Sequence, residues 1–284
     1  MKAACYPEAS LSNTDFFRLS ELIHGLCGIR LPFAKKLMLE GRLRKRLRAL
    51  GIASFERYRD YLFSSQGFEE ERVHMIDAVT TNKTDFFREP EHFDCLLQRV
   101  LPDLVGRFGL GTRKRLNVWS AGCSSGEEPY TLAMVLSEFA QACPGFHFSI
   151  LATDISTAAL EKAKSGIYEQ ARVEPIPMVL RKKYLLRSKD RDRGLVRIAP
   201  ELRALVQFER LNLMDEDYGI DEPMEIIFFR NVAIYFDRPT QEALGRRLTR
   251  LLSSGGYLFV GHSESLHGMN LPLLQTAATV HRKV

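Results

Sequence analysis

The sequence predicts an α/β protein with a small all-helical domain at its N-terminus and a second domain built on a mostly parallel sheet. Two patterns support this prediction. Apolar residues recur at helical spacing through residues 1–80. From Leu116 onward, short apolar runs typical of strands alternate with amphipathic stretches typical of helices. This alternation favours a parallel sheet covered by helices on both faces.

The composition is typical of a globular chain large enough for two domains, with 284 residues, 45% hydrophobic and 26% charged. No apolar run approaches the roughly 20 residues of a membrane helix, and the N-terminus lacks the apolar stretch of a signal peptide. The five cysteines form no CxxC pair, and the seven histidines show no ligand spacing such as HxxxH. We therefore expect a cytoplasmic chain without membrane insertion or a bound metal, and nothing demands more than a monomer.

Three helices are predicted in the N-terminal domain. The first begins near the capping candidates Ser12, Asn13 and Thr14 and ends at Gly28. The second is basic and ends at Gly51, and the third precedes a polar segment that contains Pro90. The apolar positions of the three are Leu19, Leu22, Ile23 and Leu26, then Leu43, Leu47 and Leu50, then Val73, Ile76 and Val79. We expect a helical domain over 1–80, a connection over 81–92 and a second domain over 93–284.

Positive charge is concentrated in two places, although the net charge is only +5. Residues 35–48 hold seven Lys or Arg against one acid, Glu40. A second cluster lies between residues 181 and 193, diluted by two aspartates. Two basic faces indicate an acidic macromolecular partner, whereas the modest total falls well short of a dedicated nucleic-acid binder.

Five strands are predicted in the second domain, each a short apolar run that ends in polar residues or glycine. They cover 116–122, 148–154, 206–213, 224–229 and 256–261. Residues from about 167 to 205 are too many for one crossover and contain Pro175, Pro177 and Gly194. We expect this stretch to form a small inserted subdomain.

A glycine-containing loop follows the first of these strands. Residues 122–126 read GCSSG, and Glu127 and Glu128 then begin a helix. The dinucleotide motif GxGxxG is absent, and two carboxylates in the first helical turn would repel a pyrophosphate. A positively charged ligand fits better, and S-adenosylmethionine offers a sulfonium and an ammonium group. On this loop alone, a purely structural glycine turn is an equal alternative.

Polar residues follow the other strands at equivalent positions. Asp154 ends the second strand, where a carboxylate can accept both hydrogen bonds of a ribose diol; the alternative is a helix N-cap. Asn212 and Leu213 end the third strand, and Arg230 and Asn231 follow the fourth. Because ligands bind beyond the carboxyl ends of the strands in such sheets, we expect these groups to converge on one crevice.

Two further side chains are candidates for this crevice. Tyr235 follows Asn231 by four residues and could line a methyl-transfer site, although a buried structural tyrosine is equally common. Arg88, in the connection between the domains, could hold a carboxylate or the cofactor through its guanidinium group. The alternative for Arg88 is a solvated arginine in a charged loop.

Five strings of this sequence resemble the bacterial chemotaxis receptor methyltransferases, the CheR family: TTNKTDFFRE, GCSSGEEPYT, ATDIS, FFRNVAIYFD and GHSES. The resemblance implies a Rossmann-like S-adenosylmethionine-dependent methyltransferase domain with a small N-terminal all-α domain and a small inserted antiparallel β-subdomain. It also implies methyl transfer from S-adenosylmethionine to glutamate side chains in the cytoplasmic methylation region of chemoreceptors, leaving S-adenosylhomocysteine.

The same resemblance implies roles for individual residues. Those that would contact the cofactor are Asn82, Thr84, Arg88, Glu128, Asp154, Asn212, Leu213, Arg230 and Asn231. Arg88 and Tyr235 correspond to the family's proposed catalytic residues. The family's basic helix is implicated in receptor docking, which here implies Arg42, Lys45, Arg46 and Arg48. A carboxylate acceptor is already nucleophilic at neutral pH, so we expect no general base, and rate would come from alignment and desolvation.

One stretch departs from the family. Some members bind a pentapeptide tether at the receptor C-terminus on a glycine-rich loop of the inserted subdomain. Residues 187–194 here read RSKDRDRG, without closely spaced glycines that would let a bound strand approach the backbone. The sequence therefore predicts an enzyme that does not depend on the tether.

Three other functions stay open at this point. A nicotinamide-dependent dehydrogenase is opposed by the missing GxGxxG motif. A nucleic-acid methyltransferase is favoured by the basic clusters but lacks an NPPY-type catalytic string, and filter binding to nucleic acid would separate it. A non-catalytic adaptor is opposed by the intact set of acidic, amide and tyrosine side chains at the strand ends.

Overall fold

The computed structural model describes residues 10–190 and 194–284. Its N-terminal part is the predicted all-helical domain, with helices α1 (Asn13–Cys27), α2 (Lys36–Leu50), α3 (Phe55–Leu62) and α4 (Ser65–Val79). The ends of the first two helices follow the predicted signals: Ser12 caps α1, and Gly28 and Gly51 end α1 and α2 in the left-handed conformation. The prediction lacks α3, whose eight residues are too few for a clear period.

The basic helix α2 contributes both apolar residues and a buried ion pair to this domain. Leu50 of its predicted apolar stripe is exposed, so the buried stripe ends one turn before the helix does. Arg46 reaches across to α4, where its Nε and Nη2 each lie 2.7 Å from a carboxylate oxygen of Glu71. Glu71 is 1% exposed and also accepts a hydrogen bond from the hydroxyl of Tyr58. Charge on α2 therefore helps to hold the helices together.

A polar connection leads from the helical domain into helix α5 (Glu91–Cys95), which continues through a π-helical turn (Leu96–Val100) into α6 (Leu101–Phe108). The helix thus begins at Glu91, inside the connection predicted over 81–92. Its buried face packs on the sheet of the second domain, where the Phe93 ring stacks on Phe228 with centroids 6.0 Å apart.

The second domain is built on one seven-stranded sheet. Its strands are β1 (Leu116–Ala121), β2 (Phe148–Asp154), β6 (Val206–Arg210), β7 (Met224–Phe229), β8 (Leu252–Val260), β9 (Leu273–Ala277) and β10 (Val280–Lys283). The order is β6-β2-β1-β7-β8-β10-β9, and the first five strands run parallel as predicted. β10 and β9 add an antiparallel edge that the prediction lacks. Helices α7 (Glu127–Ala142), α8 (Thr157–Ser165) and α11 (Arg238–Leu251) provide crossovers.

Side chains alternate between two apolar cores, one on each face of this sheet. On β7, Ile226 and Phe228 belong to one core, and Ile227 and Phe229 belong to the other. The third predicted strand is too long, because β6 ends at Arg210. Asn212 and Leu213 therefore lie in the turn beyond the strand and not at its end, and from there both border the crevice.

The stretch between α8 and β6 contains the predicted antiparallel subdomain. Its strands β3 (Ile167–Glu169), β4 (Leu185–Arg187) and β5 (Leu195–Ile198) pair antiparallel with β5 in the centre, and helices α9 (Met178–Tyr184) and α10 (Pro200–Arg203) accompany them. Arg191, Asp192 and Arg193 of the loop between β4 and β5 lie outside the described residues. Over the parts of the chain that the structure describes, no helix is both long and apolar enough to cross a bilayer.

The ion pair between Arg46 and Glu71 yields a stability prediction. Arg46→Ala leaves the Glu71 carboxylate buried without its cation, so we expect the free energy of unfolding to fall by about 3 kcal/mol. Lys45→Ala removes an exposed cation from the same helix and should change it by less than about 0.5 kcal/mol. Urea unfolding followed by circular dichroism measures both, and equal effects of the two substitutions would contradict the assignment.

Candidate active site

One cavity brings the predicted site residues together. It lies beyond the carboxyl ends of β1, β2, β6 and β7, where the sheet faces the helical domain. The cavity, with its open mouth, contains about 1090 Å³ of empty space. Its lining includes all ten residues predicted for cofactor binding and catalysis: Asn82, Thr84, Arg88, Glu128, Asp154, Asn212, Leu213, Arg230, Asn231 and Tyr235.

The loop after β1 enters the cavity through backbone conformations that most residues avoid. Gly122 and Gly126 have φ values of 85° and 96°, and Ser124 has a φ of 51°. A Cβ atom on Gly122 would lie 2.5 Å from Cγ2 of Val232. The glycines are therefore required by the turn and its packing, and the case for a ligand depends on the groups around them.

Asp154 is buried and its carboxylate is fixed by two backbone amides. The amide of Ser124 donates to Oδ2 at 2.8 Å and the amide of Ser156 donates to Oδ1 at 2.9 Å. Ser156 is itself the N-cap of α8, so the alternative that Asp154 caps this helix is wrong. Burial raises the pKa of Asp154, against the lowering effect of its backbone hydrogen bonds. Each carboxylate oxygen keeps a further lone pair, which suits the two hydroxyls of a ribose.

A buried ion pair lies against the cavity between Arg230 and Glu128. Arg230 is 6% exposed, and its Nε donates to Oε2 of Glu128 at 2.7 Å. Its Nη1 donates to the carbonyl of Arg88 at 2.8 Å and to Nδ1 of His92 at 2.7 Å. Oε1 of Glu128 accepts from the hydroxyl of Ser120 at 2.7 Å. The pair thus joins the ends of β1 and β7, the start of α7 and the connection between the domains.

The two neighbouring carboxylates at the start of α7 have different roles, although the sequence alone does not distinguish their surroundings. Glu128 lines the cavity, whereas Glu127 is 2% exposed and pairs with Arg172 of the inserted subdomain at 2.9 Å. Arg172 also donates to the carbonyl of Thr84 at 2.5 Å and pairs with Asp85 at 2.9 Å. Sequence reasoning missed Arg172, which ties the inserted subdomain to a residue of the cavity wall.

The helical domain supplies the remaining wall of the cavity. Nδ2 of Asn212 donates to the carbonyl of Leu26 at 2.7 Å, and the amide of Arg30 donates to the carbonyl of Tyr235 at 3.0 Å. Apolar lining residues from this domain are Cys27, Ile29, Leu31, Met38 and Val79. These contacts join positions about two hundred residues apart, and no spacing in the sequence indicates them.

Three cations besides Arg230 line the same cavity: Arg88, Lys83 and Lys35. Arg88 is half-exposed, and its Nη1 donates to the carbonyl of Lys83 at 3.1 Å. Lys83 and Lys35 are further lining residues that the prediction lacks. Acidic and cationic groups therefore share one cavity, with Asp154 and Glu128 against the sheet and the lysines on the connection and the helical domain.

The four residues expected to dock a receptor divide into two pairs. Lys45 and Arg48 are exposed. Arg46 is committed to Glu71, and Arg42 donates to the carbonyls of Val79 and Thr80 at the end of α4. Of the four, Lys45 and Arg48 are therefore available to an acidic partner without breaking contacts between helices, since the hydrogen bond from Nε of Arg48 to the carbonyl of Arg44 at 3.4 Å lies within α2.

A cluster with metal-ligand chemistry lies next to Arg230. Ligand atoms of Glu89, His92 and His262 all fall within 4.8 Å of one another. Nη1 of Arg230 lies 2.7 Å from Nδ1 of His92 and 3.5 Å from Oε2 of Glu89. The Arg230 guanidinium already supplies to these groups the positive charge that a metal ion would bring, so we assign no metal to this cluster.

Comparison with known proteins agrees with this geometry. Residues 14–80 match the model of the CheR methyltransferase all-alpha domain, and residues 82–281 match that of the CheR methyltransferase SAM binding domain. The chain belongs to the CheR methyltransferase family. It is 40% identical to a chemotaxis protein methyltransferase of Salmonella typhimurium over 92% of this chain and 86% of that one. Corresponding proteins of Escherichia coli and Borreliella burgdorferi are each 38% identical, over 96% and 91% of this chain and 91% and 90% of theirs.

Membership of the CheR family confirms the predicted fold class and the predicted cofactor. The seven-stranded sheet is an S-adenosylmethionine-binding methyltransferase domain, preceded by the all-alpha domain and interrupted by the three-stranded sheet. The donor set fits this cofactor, because a fixed carboxylate for a diol and a second carboxylate for a cation lie in one cavity. The chain is thus an S-adenosylmethionine-dependent methyltransferase related to chemotaxis enzymes.

His92 makes the stability of this site depend on pH. Burial, together with the neighbouring Arg230 charge, lowers the pKa of His92 to about 4. The unfolded chain, with an ordinary histidine pKa near 6.5, therefore binds this proton more tightly than the folded chain. Between about pH 6.5 and 4 the free energy of unfolding should fall by up to about 3 kcal/mol from this residue alone.

A matched pair of variants checks this pH dependence by urea unfolding at several pH values. His92→Gln should give a shallower loss of stability between about pH 6.5 and 4 than the unmodified chain, because no imidazole then titrates against Arg230. His147→Gln changes an exposed histidine and should keep the original slope. Identical slopes in all three proteins would show that His92 is not responsible.

Proposed function

We propose that this chain transfers a methyl group from S-adenosylmethionine to glutamate side chains in the methylation region of chemoreceptors, forming γ-glutamyl methyl esters. The observation that carries the proposal is the single cavity in which the carboxylates Asp154 and Glu128 lie with the cations Arg88, Lys83 and Lys35. The two carboxylates suit a cationic nucleoside, and the three cations suit an anionic acceptor. The chemotaxis methyltransferases to which the chain is similar support a receptor as the acceptor.

The cofactor end of the cavity would be held by groups that the fold has already fixed. Asp154 would accept the ribose hydroxyls, and Asn212 and Asn231 would border the nucleoside from the segments that follow β6 and β7. Glu128, paired with Arg230, would favour the cationic portion of the ligand. When bound, S-adenosylmethionine supplies a methyl group on a positively charged sulfur, which keeps the bonding electron pair as the methyl leaves.

At the acceptor end of the cavity, the acceptor carboxylate has to be oriented toward the methyl group, but it needs no proton transfer. A glutamate side chain is ionised at neutral pH, so its oxygen can attack the methyl carbon directly, and the product ester carries no charge. Arg88 would hold the acceptor carboxylate or that of the cofactor through its guanidinium group, and Tyr235 would line the path of the methyl group. Because the reaction neutralises two opposite charges, a cavity that excludes water favours it.

Docking would use the exposed side of α2. Lys45 and Arg48 present positive charge there, and an acidic helical substrate offers the complementary charge. Interactions between exposed charges of this kind raise the association rate and orient the partner more than they raise affinity, and salt weakens them. Arg42 and Arg46 would act indirectly, since they hold α2 against α4.

The proposed reaction is tested with S-adenosylmethionine that carries a labelled methyl group, incubated with the full chain and membranes that contain chemoreceptors. Alkali should release the label as volatile methanol, because carboxyl methyl esters are base-labile. Asp154→Ala should abolish the release through loss of cofactor binding, whereas Asp221→Ala, at an exposed position, should keep it.

Other outcomes of this assay would replace the proposal. Label that stays on protein after alkali treatment would indicate a different side chain, and label on added RNA or DNA would indicate a nucleic-acid methyltransferase. No transfer despite cofactor binding would favour a non-catalytic adaptor.

We also propose that the enzyme acts without the receptor tether. The described part of the loop between β4 and β5 contains a single glycine, Gly194, and charged residues occupy most of its other positions. Calorimetric titration with a tether pentapeptide should give no heat of binding at micromolar concentrations, and receptors that lack the tether should be methylated at the same rate. Binding with a Kd in the nanomolar-to-micromolar range would contradict this proposal.

A further inference from the structure

Residues 230–235, in the loop that follows β7, include four residues of the cavity wall: Arg230, Asn231, Val232 and Tyr235. Its backbone takes an unusual course, because Asn231 has a φ of 59°, in the left-handed region. Asparagine tolerates this conformation better than most residues but does not require it. Some other contact must therefore keep the loop in place.

One carboxylate binds this loop along its backbone. Oε2 of Glu264 accepts from the amide of Asn231 at 2.7 Å, and Oε1 accepts from the amides of Val232 at 2.8 Å and Ala233 at 2.7 Å. A fourth amide, that of Gly261, donates to Oε2 at 2.6 Å. Three successive amides pointing at one anion form a nest, a backbone arrangement that binds anions elsewhere in proteins. Here the anion is supplied by the chain itself.

Glu264 lies on the far side of the loop from the large cavity. It is absent from the lining of the large cavity among the described residues, and it lines a separate apolar cavity with Ile234, Leu258 and Leu266. It therefore has no direct contact with the reacting groups. Its carboxylate acts on the cavity only through the loop 230–235.

The close approach between the loop 230–235 and the segment 261–264 also depends on Gly261. A Cβ atom there would lie 2.5 Å from Nδ2 of Asn231 and 2.9 Å from both its amide nitrogen and Oε2 of Glu264. The amide of Glu264 in turn donates to the carbonyl of Gly261 at 2.9 Å, which closes a tight turn. The string GHSES at 261–265 thus presents one carboxylate to the loop at close range.

We propose that Glu264 is a positioning residue that holds the loop 230–235 in the conformation that binds S-adenosylmethionine and places Tyr235 at the methyl group. A glutamine at this position offers one oxygen and one NH₂ group. Because each oxygen of Glu264 faces two amides, the NH₂ group would meet two N–H donors in either orientation. The substitution is nearly isosteric but breaks half of the nest.

The matched control lies at the other end of the same strand. Glu225, near the start of β7, is 1% exposed and accepts from the amide of Asn117 at 2.7 Å, far from the cavity. Glu225→Gln makes the same chemical change to a buried carboxylate. If Glu264→Gln acted only through a general loss of stability, Glu225→Gln should weaken the binding of S-adenosylmethionine as well. If Glu264 positions the loop, only Glu264→Gln should weaken this binding.

The experiment compares the full chain with both variants by calorimetric titration of S-adenosylmethionine, with thermal unfolding recorded for each. We expect Glu264→Gln to raise the Kd of S-adenosylmethionine about tenfold and Glu225→Gln to change it less than roughly twofold. In methyl transfer, Glu264→Gln should raise the KM for S-adenosylmethionine and also lower kcat, since Asn231 and Tyr235 move together. An unchanged Kd and KM in Glu264→Gln, or an equal loss in Glu225→Gln, would overturn the inference.

A second variant covers the case in which Glu264→Gln does not fold. Gly261→Ala keeps the carboxylate but forces it and the loop apart, so it should cause the same loss of affinity.

The kinetic comparison rests on the proposed function, whereas the binding comparison needs only the cofactor. If the unmodified chain binds S-adenosylmethionine but releases no methanol from labelled receptors, the proposed function fails and the role of Glu264 can still be judged.

Discussion

The buried guanidinium of Arg230 constrains most of the architecture around the cavity. A cation that is 6% exposed is costly unless its donors are satisfied, and here Glu128, His92 and the carbonyl of Arg88 satisfy them. The rings of Phe93 and Phe228 lie 5.3 and 5.5 Å from it and add cation–π contacts. These partners come from a strand end, a helix start and the connection between the domains. One charge therefore determines how three separate segments meet.

Backbone strain is concentrated around the same cavity. Of the described residues other than glycine, those with positive φ are Phe87, Glu89, Ser124 and Asn231. Each conformation is unfavourable by itself and persists because the surroundings hold it. Asp154 fixes the amide of Ser124, and Glu264 fixes that of Asn231. Two internal carboxylates thus maintain the strained loops on either side of the ligand site, which is a form of preorganisation.

Sequence patterns predict the parts of this structure that depend on local chemistry. Helical period and capping residues locate α1 and α2, and apolar runs that end in polar residues locate the parallel strands and the crevice at their ends. Sequence patterns fail where two residues have the same local signal but different partners in the folded chain. Glu127 and Glu128 are equivalent in the sequence, yet one pairs with Arg172 and the other lines the cavity. Lys35 lies in the basic cluster 35–48 and Glu264 in the string GHSES, but neither pattern indicates the contacts these side chains make, because the contacts form across the folded chain.

The cofactor cavity is incomplete in either domain alone. Hydrogen bonds from Asn212 to the carbonyl of Leu26 and from Arg30 to the carbonyl of Tyr235 join the helical domain to its rim, and residues of α1 and α2 form part of the wall. A chain cut in the connection would therefore lose the cavity even if both fragments kept their folds. A ligand held between the domains also adds its binding energy to their mutual attachment, so the occupied protein unfolds more nearly as one cooperative unit.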